Sequence, residues 1–435
     1  MLHSIRTTEL SPHERPLHVT KSTRPLDRFR RHIPAELITH AAAAARYGER
    51  RRKCPPDIFF WTLVLGFASE AARGLASFQR FFCVLTGTTI TSSAFQKRFT
   101  PQGAAFLAGV LDHLLARAGR GASAPAFARI ERFRAVFAID SSLVRLHRKL
   151  QKHFRGFKSA GTEAMARLHV VHNLTHRDIE RLRITGGRVP EIRGAAFGRW
   201  TKGALSLFDL GYYSHAVFRT IDDAGGFFIS RMKSHANPRV ISVRRGGRMT
   251  AVKGVLLRDL RVGESVLEAE AVFGEGPGQR IYRVVAVREP ISGTWRYYVT
   301  NLGAAEFSAN EIAELYRLRW EIELLFKELK SSYRLDEVAT TKAATARCLM
   351  LAALISLLVG RILAEIATAR SGQALRSLSP RRVAAVLAQH GVDIGRALLE
   401  GVPKRIGRVL ARIADVCTAI AGAAPPRGGA AGRKC

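Results

Sequence analysis

The 435-residue sequence predicts an α/β protein whose β-rich middle is flanked by helical regions, and three observations carry that prediction. Residues 1–130 are dominated by amphipathic runs such as PDIFFWTLVLGFASEAARGLASFQRFF. From about residue 131 short apolar runs alternate with turn residues. Beyond about 303 the chain returns to helix, increasingly rich in Ala and Leu. A chain of this length exceeds one compact core, so two or three domains are expected. With 47% hydrophobic residues it can bury a substantial core and should not be disordered.

Within residues 1–130 lie two basic clusters, RFRRH and RRRK. The stretch TITSSAFQKRFT offers Ser92 and Ser93 as caps before a short helix bearing Lys97 and Arg98. That pattern suits a helix-turn-helix reading DNA ends, and equally a solvated helix face. The next region, 131–214, reads strand, strand, strand, helix, strand. FRAVFAID ends in Asp140, MARLHVVHNLT and DIERLRITGGR follow, PEIRGAAFGRW is a short helix, and ALSLFDLGYYS carries Asp209 at the end of its strand. Residues 215–302 are again strand-like, with GGFFISRMK, RVISVRR, SVLEAEAVFG, QRIYRVVAVRE and WRYYVTNL between Gly-rich turns, and read as a β-rich insertion. Residues 303–345 resume the interrupted core. Residues 346–435 form a helical region ending in a disordered basic tail, APPRGGAAGRKC. The most apolar segment, LMLAALISLLVG, runs for about twelve residues before Arg361, short of the roughly 20 needed to span a membrane. It reads as a buried helix, and the N-terminus lacks the apolar run of a signal peptide.

Lys and Arg total 69 against 35 Asp and Glu, a formal charge of +34 spread along the whole chain. Such an excess calls for a polyanionic partner, most simply nucleic acid. The five cysteines, Cys54, Cys83, Cys348, Cys417 and Cys435, show neither a C-x-x-C pair nor disulfide-like spacing, which fits a reducing cytosol.

The segment LYRLRWEIELLFKELK, Leu315 to Lys330, carries the chemistry. A capping box of Ser308 and Glu311 starts the helix near residue 309. At 100° per residue, Tyr316, Arg319, Glu323 and Lys330 share a stripe about 60° wide. Leu315, Leu318, Ile322, Leu325, Phe326 and Leu329 form the adjacent core face, and Glu321 and Glu328 point away toward solvent. By itself such a stripe is a surface ion-pair ladder, worth about 0.3–0.5 kcal/mol per pair. Likewise, a lone aspartate ending a strand is usually a turn starter or a helix cap. Taken together, Asp140, Asp209 and Glu323 can meet at one sheet edge if the helix packs across it. Three carboxylates so placed need a cation, and hard oxygen ligands suit Mg²⁺ or Mn²⁺. Two such ions catalyse phosphoryl transfer by activating the attacking oxygen and stabilising the leaving one. Arg319 and Lys330 then stand where phosphates must lie, with Tyr316 able to hydrogen-bond or stack.

The spacing Tyr316-x2-Arg319-x3-Glu323-x6-Lys330, with AIDSS at Asp140, DLGYYS at Asp209 and YYVTNL ahead of the helix, resembles the DDE transposases of the insertion-sequence-4 type across about residues 133–335. The resemblance implies a ribonuclease-H-like core interrupted by a β-rich insertion, with Asp140, Asp209 and Glu323 as metal ligands and Tyr316, Arg319 and Lys330 as contacts to transposon-end DNA. It also implies metal-dependent cleavage, strand transfer by the freed 3′-OH and a homodimer bridging two double-stranded DNA ends. Some relatives pass through a DNA hairpin. Arg231 and Lys233, two apart in SRMK, are candidates to face one DNA strand, although alternation on an exposed basic strand gives the same pattern. His169, His172 and His176 are not spaced to share one face of a strand and are read as ordinary strand and turn residues. The competing functions are a ribonuclease-H-like nuclease or resolvase that only cuts, and a catalytically dead DNA-binding regulator.

Overall fold

The computed structural model describes residues 24–49, 53–68, 74–117, 128–157, 164–245, 247–260, 265–289, 292–333, 335–336, 338–372 and 378–422. The RRRK cluster falls largely outside these residues, and the C-terminal tail falls wholly outside them.

One sheet organises the middle of the chain. Its strands are β1 (Ala135–Arg145), β2 (Met165–Asn173), β3 (Asp178–Gly186), β4 (Ala204–Phe208), β5 (Phe227–Arg231), β6 (Arg239–Arg245), β7 (Arg248–Leu256), β8 (Val266–Phe273), β9 (Arg280–Arg288) and β10 (Trp295–Thr300). They lie in the order β3-β2-β1-β4-β5-β10-β9-β8-β6-β7. β1 pairs in parallel with β4, and β4 with β5, while the other pairings are antiparallel.

Residues 215–302 therefore do not form a separate β-body. β5 is a central parallel strand, and β6 to β10 extend the same sheet through the β10–β5 pairing. A cut at 214 would divide β4 from the helix and strand that follow it. That helix, His215–Asp223, follows Ser214 and buries Val217, Phe218 and Ile221. Its short 3.6-residue pattern is hidden among strands in the sequence. β7 carries an equally weak signal, because as an edge strand it is exposed on most of its length and shows no alternation.

The helices are α1 (Pro25–His32), α2 (Leu37–Ala44), α3 (Pro56–Ala68), α4 (Leu75–Thr86), α5 (Ser92–Gln96), α6 (Pro101–Arg117), α7 (Glu191–Ala195), α8 (His215–Asp223), α9 (Ala309–Arg317), α10 (Trp320–Ser331), α11 (Ala343–Ser371), α12 (Pro380–Glu400) and α13 (Pro403–Gly422). α7 and α8 cover one face of the sheet, where Phe137, Ile139, Phe208 and Phe228 pack with Ala195, Val217 and Phe218. α9 covers the other face, setting Ile312, Leu315 and Tyr316 against Val136, Leu205, Leu207 and Ile229. Alternation along β1 thus sends odd-numbered residues toward α7 and even-numbered ones toward α9 and α10.

The two helical flanks are one body. α11 is surrounded by α1, α3, α6, α12 and α13, so N- and C-terminal residues share a core that also reaches Leu168 and Val170 of β2. By length and composition α11 could cross a membrane, but 78% of its apolar window is buried in this body. Arg361 does not interrupt it. Its guanidinium leaves the core sideways, donating to the Arg177 carbonyl at 2.6 Å and lying 3.8 Å from Glu328 of α10. Glu328, expected in solvent, is consequently largely covered beside α11, its side chain 12% exposed.

At α5 the cap is Thr91, whose side chain accepts from the Ala94 N–H, rather than Ser92 or Ser93. Lys97 and Arg98 follow the helix instead of riding on it. Arg98 is buried, and its carbonyl accepts from the Tyr47 hydroxyl at 3.1 Å. This segment lacks the pair of exposed basic residues that a groove-reading helix needs.

Candidate active site

The site begins with strand register. Ile139 of β1 lies opposite Phe208 of β4, and Phe208 opposite Ser230 of β5. One step further along these parallel strands come Asp140, Asp209 and Arg231, side by side at one end of the sheet. Asp209 stands just past β4, while Asp140 lies inside β1, which continues to Arg145. Neighbouring N–H groups fix both carboxylates: Ser141 donates to Asp140 Oδ1 and Leu210 to Asp209 Oδ1, each at 2.7 Å.

The even-numbered Asp140 faces α10, and there it meets Arg319. Arg319 Nη1 is 3.6 Å from Asp140 Oδ2, while Nη2 donates to Glu323 Oε1 at 2.5 Å. One guanidinium therefore joins the first aspartate to the glutamate. The helix expected from residue 309 through 330 starts with the Ser308–Glu311 capping box but is two helices, α9 and α10. At the joint the N–H groups of Leu318, Arg319, Glu321 and Ile322 each donate three residues back, to Leu315, Tyr316, Leu318 and Arg319. This tightening departs from 100° per residue. Tyr316 consequently lies in the core, its ring 5.1 Å from that of Tyr298, with Arg319 5.7 Å from its centre. Glu323 and Lys330 remain together on one open cleft with Phe326, Lys327, Ser331 and Asp336. Arg231, opposite Tyr298, ends β5, so Lys233 lies beyond the strand and does not alternate with it. Its ammonium sits 5.6 Å from the centre of the Tyr213 ring.

Burial pushes the Asp140 carboxyl up to about 6; Glu191 and Asp209 add to the rise, while the Ser141 N–H and Arg319 oppose it. Between its ordinary value of 3.8 and about 6, folded Asp140 holds a proton that the unfolded chain releases. Its contribution to stability therefore falls as pH rises through this window, and the penalty is complete above it. Asp140→Asn is expected to stabilise the metal-free protein by about 1–3 kcal/mol at neutral pH, and by nothing below about pH 4. Chemical denaturation across this range measures the difference.

Behind Asp140 lie three residues to which the sequence assigned no role, Ser141 only as part of AIDSS, and Arg167 and Glu191 not at all. Ser141, turned to the opposite face, donates its hydroxyl to Glu191 Oε1 at 2.8 Å, and Arg167 Nη1 donates to the same oxygen at 2.5 Å. Glu191 opens α7 and reads in the sequence as an ordinary first-turn acid.

Among the described residues no group of three His, Cys, Asp or Glu stands close enough to hold a metal ion. Asp140 and Asp209 are neighbours, whereas Glu323 reaches them through Arg319. The donor set is nevertheless suited to a hard divalent cation, because all three are carboxylates and a guanidinium already bridges two of them. The histidines stay apart from this chemistry. His169 and His172 are buried, and burial, with nearby arginines, holds both below their usual range, His169 at about 4. The cysteines Cys54, Cys83, Cys348 and Cys417 are free thiols, and Cys435 lies outside the described residues.

The Transposase DDE domain family matches residues 131–359, more than half of the chain. The transposase of insertion sequence element IS231F from Bacillus thuringiensis subsp. israelensis is 20% identical over 375 residues, covering 76% of this chain and 78% of its own. That of IS1151 from Clostridium perfringens is 23% identical over 266 residues, covering 52% and 56%. Among solved structures, a piggyBac transposase synaptic complex with hairpin DNA aligns over 91% of this chain and 86% of its own, at 13% identity and a TM-score of 0.48, too loose a likeness to build on. Enzymes of this family generally use divalent metal ions. The chain belongs to the DDE transposase family, enzymes that act on DNA.

Proposed function

We propose that the protein is a transposase of the insertion-sequence-4 type, which cleaves DNA at the ends of a mobile element and joins the freed 3′-OH to target DNA. The observation that carries this reading is the register placing Asp140 beside Asp209, with Arg319 tying Asp140 to Glu323. The β3-β2-β1-β4-β5 order, in which β1, β4 and β5 run parallel, supports a ribonuclease-H-like catalytic half. Asp140, Asp209 and Glu323 would hold Mg²⁺ or Mn²⁺, in all two ions. Bound there, such ions supply an activated attacking oxygen and neutralise charge on the leaving one.

The chain's own groups do the rest. Arg319 and Lys330 present cations to the backbone on either side of Glu323, and Arg231 and Lys233 extend that charge from the end of β5. Tyr316 anchors the α9–α10 joint and keeps Arg319 at the cleft. The partners are double-stranded transposon ends and target DNA, bridged by a homodimer in the bacterial cytosol.

Purified protein incubated with Mg²⁺ and duplexes carrying its own element's ends should nick them and join them to a target plasmid. Nicking without joining would favour a nuclease, and binding with neither reaction a regulator; either result ends this proposal. If Arg319 and Lys330 contact phosphates, substituting each by Ala should weaken DNA-end binding by about three- to tenfold and flatten its salt dependence by roughly one unit of slope. Titrations at several salt concentrations measure both.

A further inference from the structure

On the α10 face Asp140 meets Arg319, whereas on the opposite face it is the next residue, Ser141, that is held, by a network outside the site described above. On the α7 side Ser141, Arg167 and Glu191 form a closed network. Glu191 Oε1 accepts from Ser141 Oγ at 2.8 Å and from Arg167 Nη1 at 2.5 Å, and Arg167 Nη1 also donates to Ser141 Oγ at 2.8 Å. Arg167 is itself 9% exposed, and its Nε donates to the Gly187 carbonyl at 3.1 Å.

Two glycines make room for this network. A Cβ on Gly211 would fall inside the Glu191 carboxylate, so with Glu191 in this position the turn carrying Asp209 packs directly against it at a residue without a side chain. A Cβ on Gly194 would fall inside the His169 ring, so α7 seats on β2 by the same device. His169 is in turn fixed, its Nε2 2.9 Å from Thr185 Oγ1. Glu191 thereby touches β1 through Ser141, β2 through Arg167 and the Asp209 turn at Gly211. No other carboxylate described here contacts all three.

We infer that Glu191 is a positioning residue that sets Asp140 relative to Asp209, working through Ser141 and Arg167 rather than touching DNA. The inference rests on the proposed roles of the two aspartates. An ion pair across the back of β1 and the β4 turn holds the spacing of the two carboxylates when like charge would part them. Removing the Glu191 charge leaves the fold standing but loosens that spacing, and metal affinity is the first quantity to suffer.

The test compares wild type, Glu191→Gln and Ser141→Ala, alone and combined, in the full-length protein. Three measurements are made: Mn²⁺ affinity from the free-ion paramagnetic resonance signal, DNA-end binding in EDTA, and melting temperature. Glu191→Gln should weaken Mn²⁺ binding by about tenfold or more and cleavage in parallel. DNA binding should change less than about twofold, and melting by only a few degrees. The double variant should bind Mn²⁺ no more weakly than Glu191→Gln alone, because Ser141 acts through Glu191. Wild-type Mn²⁺ affinity in Glu191→Gln, additive losses in the double variant, or losses that track melting would each overturn the inference. Mn²⁺ binding reads out whether or not the protein cuts DNA. A wild type that binds Mn²⁺ but neither nicks nor joins therefore sinks the transposase reading and leaves this comparison intact.

Discussion

Glu323→Gln, Asp140→Asn and Asp209→Asn should each lower DNA cleavage by at least about a thousandfold, equivalent to about 4 kcal/mol of lost transition-state stabilisation. DNA-end binding should stay within about twofold. The three variants are not equivalent, however, and their differences test the geometry. Glutamine at 323 still accepts from Arg319 through its carbonyl oxygen, so the α9–α10 joint should hold and melting should barely move. Asparagine at 140 removes a carboxylate that burial and its neighbours make costly, so that variant should be more stable than wild type at neutral pH without metal. A Glu323→Gln protein that loses melting temperature and DNA binding along with cleavage would make α10 a structural helix and return Glu323 to a surface ion-pair ladder. Cleavage by this variant at the wild-type rate would remove the residue from the chemistry altogether.

The parts of this protein legible in the sequence are those where local pattern and tertiary outcome agree. The strands bearing Asp140 and Asp209, the short α7 and the capping box at Ser308 all follow from periodicity and cap chemistry, because nothing elsewhere in the chain overrides them. The site was less legible in its details. A continuous helix would have kept Tyr316, Arg319 and Glu323 on one stripe; i→i−3 bonding at Leu318 and Arg319 instead buries Tyr316 and turns Arg319 onto Asp140. Glu191 was illegible for another reason. Its role depends on two strands and a turn meeting it, through Ser141, Arg167 and Gly211, and none of these lies near it in sequence. The pairing of β5 was illegible for a similar reason, since whether it belongs to the central sheet is decided by β4 and not by its own residues.

Arg361 shows most clearly how a residue misread from sequence can join two parts of a fold. A charge inside an apolar run reads as an interruption, yet α11 continues past it because the guanidinium reaches out to the β2–β3 turn and to α10. Arg361→Met should destabilise the protein by about 3 kcal/mol, since it removes the bond to the Arg177 carbonyl and leaves the largely covered Glu328 carboxylate without its cation. Burial already holds the Glu328 carboxyl above its ordinary value, and Arg361 opposes that rise. Without Arg361 the carboxyl moves higher still, so the folded state keeps a proton that the unfolded chain gives up over a wider range above pH 4.5. Stability of the variant should therefore fall more steeply than that of wild type as pH rises from 5 to 8 in urea denaturation. Replacing Glu328 by Leu in the same chain removes one stranded charge and should recover part of the loss and part of the added pH dependence, the remainder belonging to the Asp178 carboxyl, whose burial-driven rise Arg361 also opposes. If the single variant instead matches wild type at both pH values, Arg361 is a solvated side chain and the joint between the helical body and the sheet is held by apolar packing alone, chiefly Leu168 and Val170 of β2 and the buried face of α10.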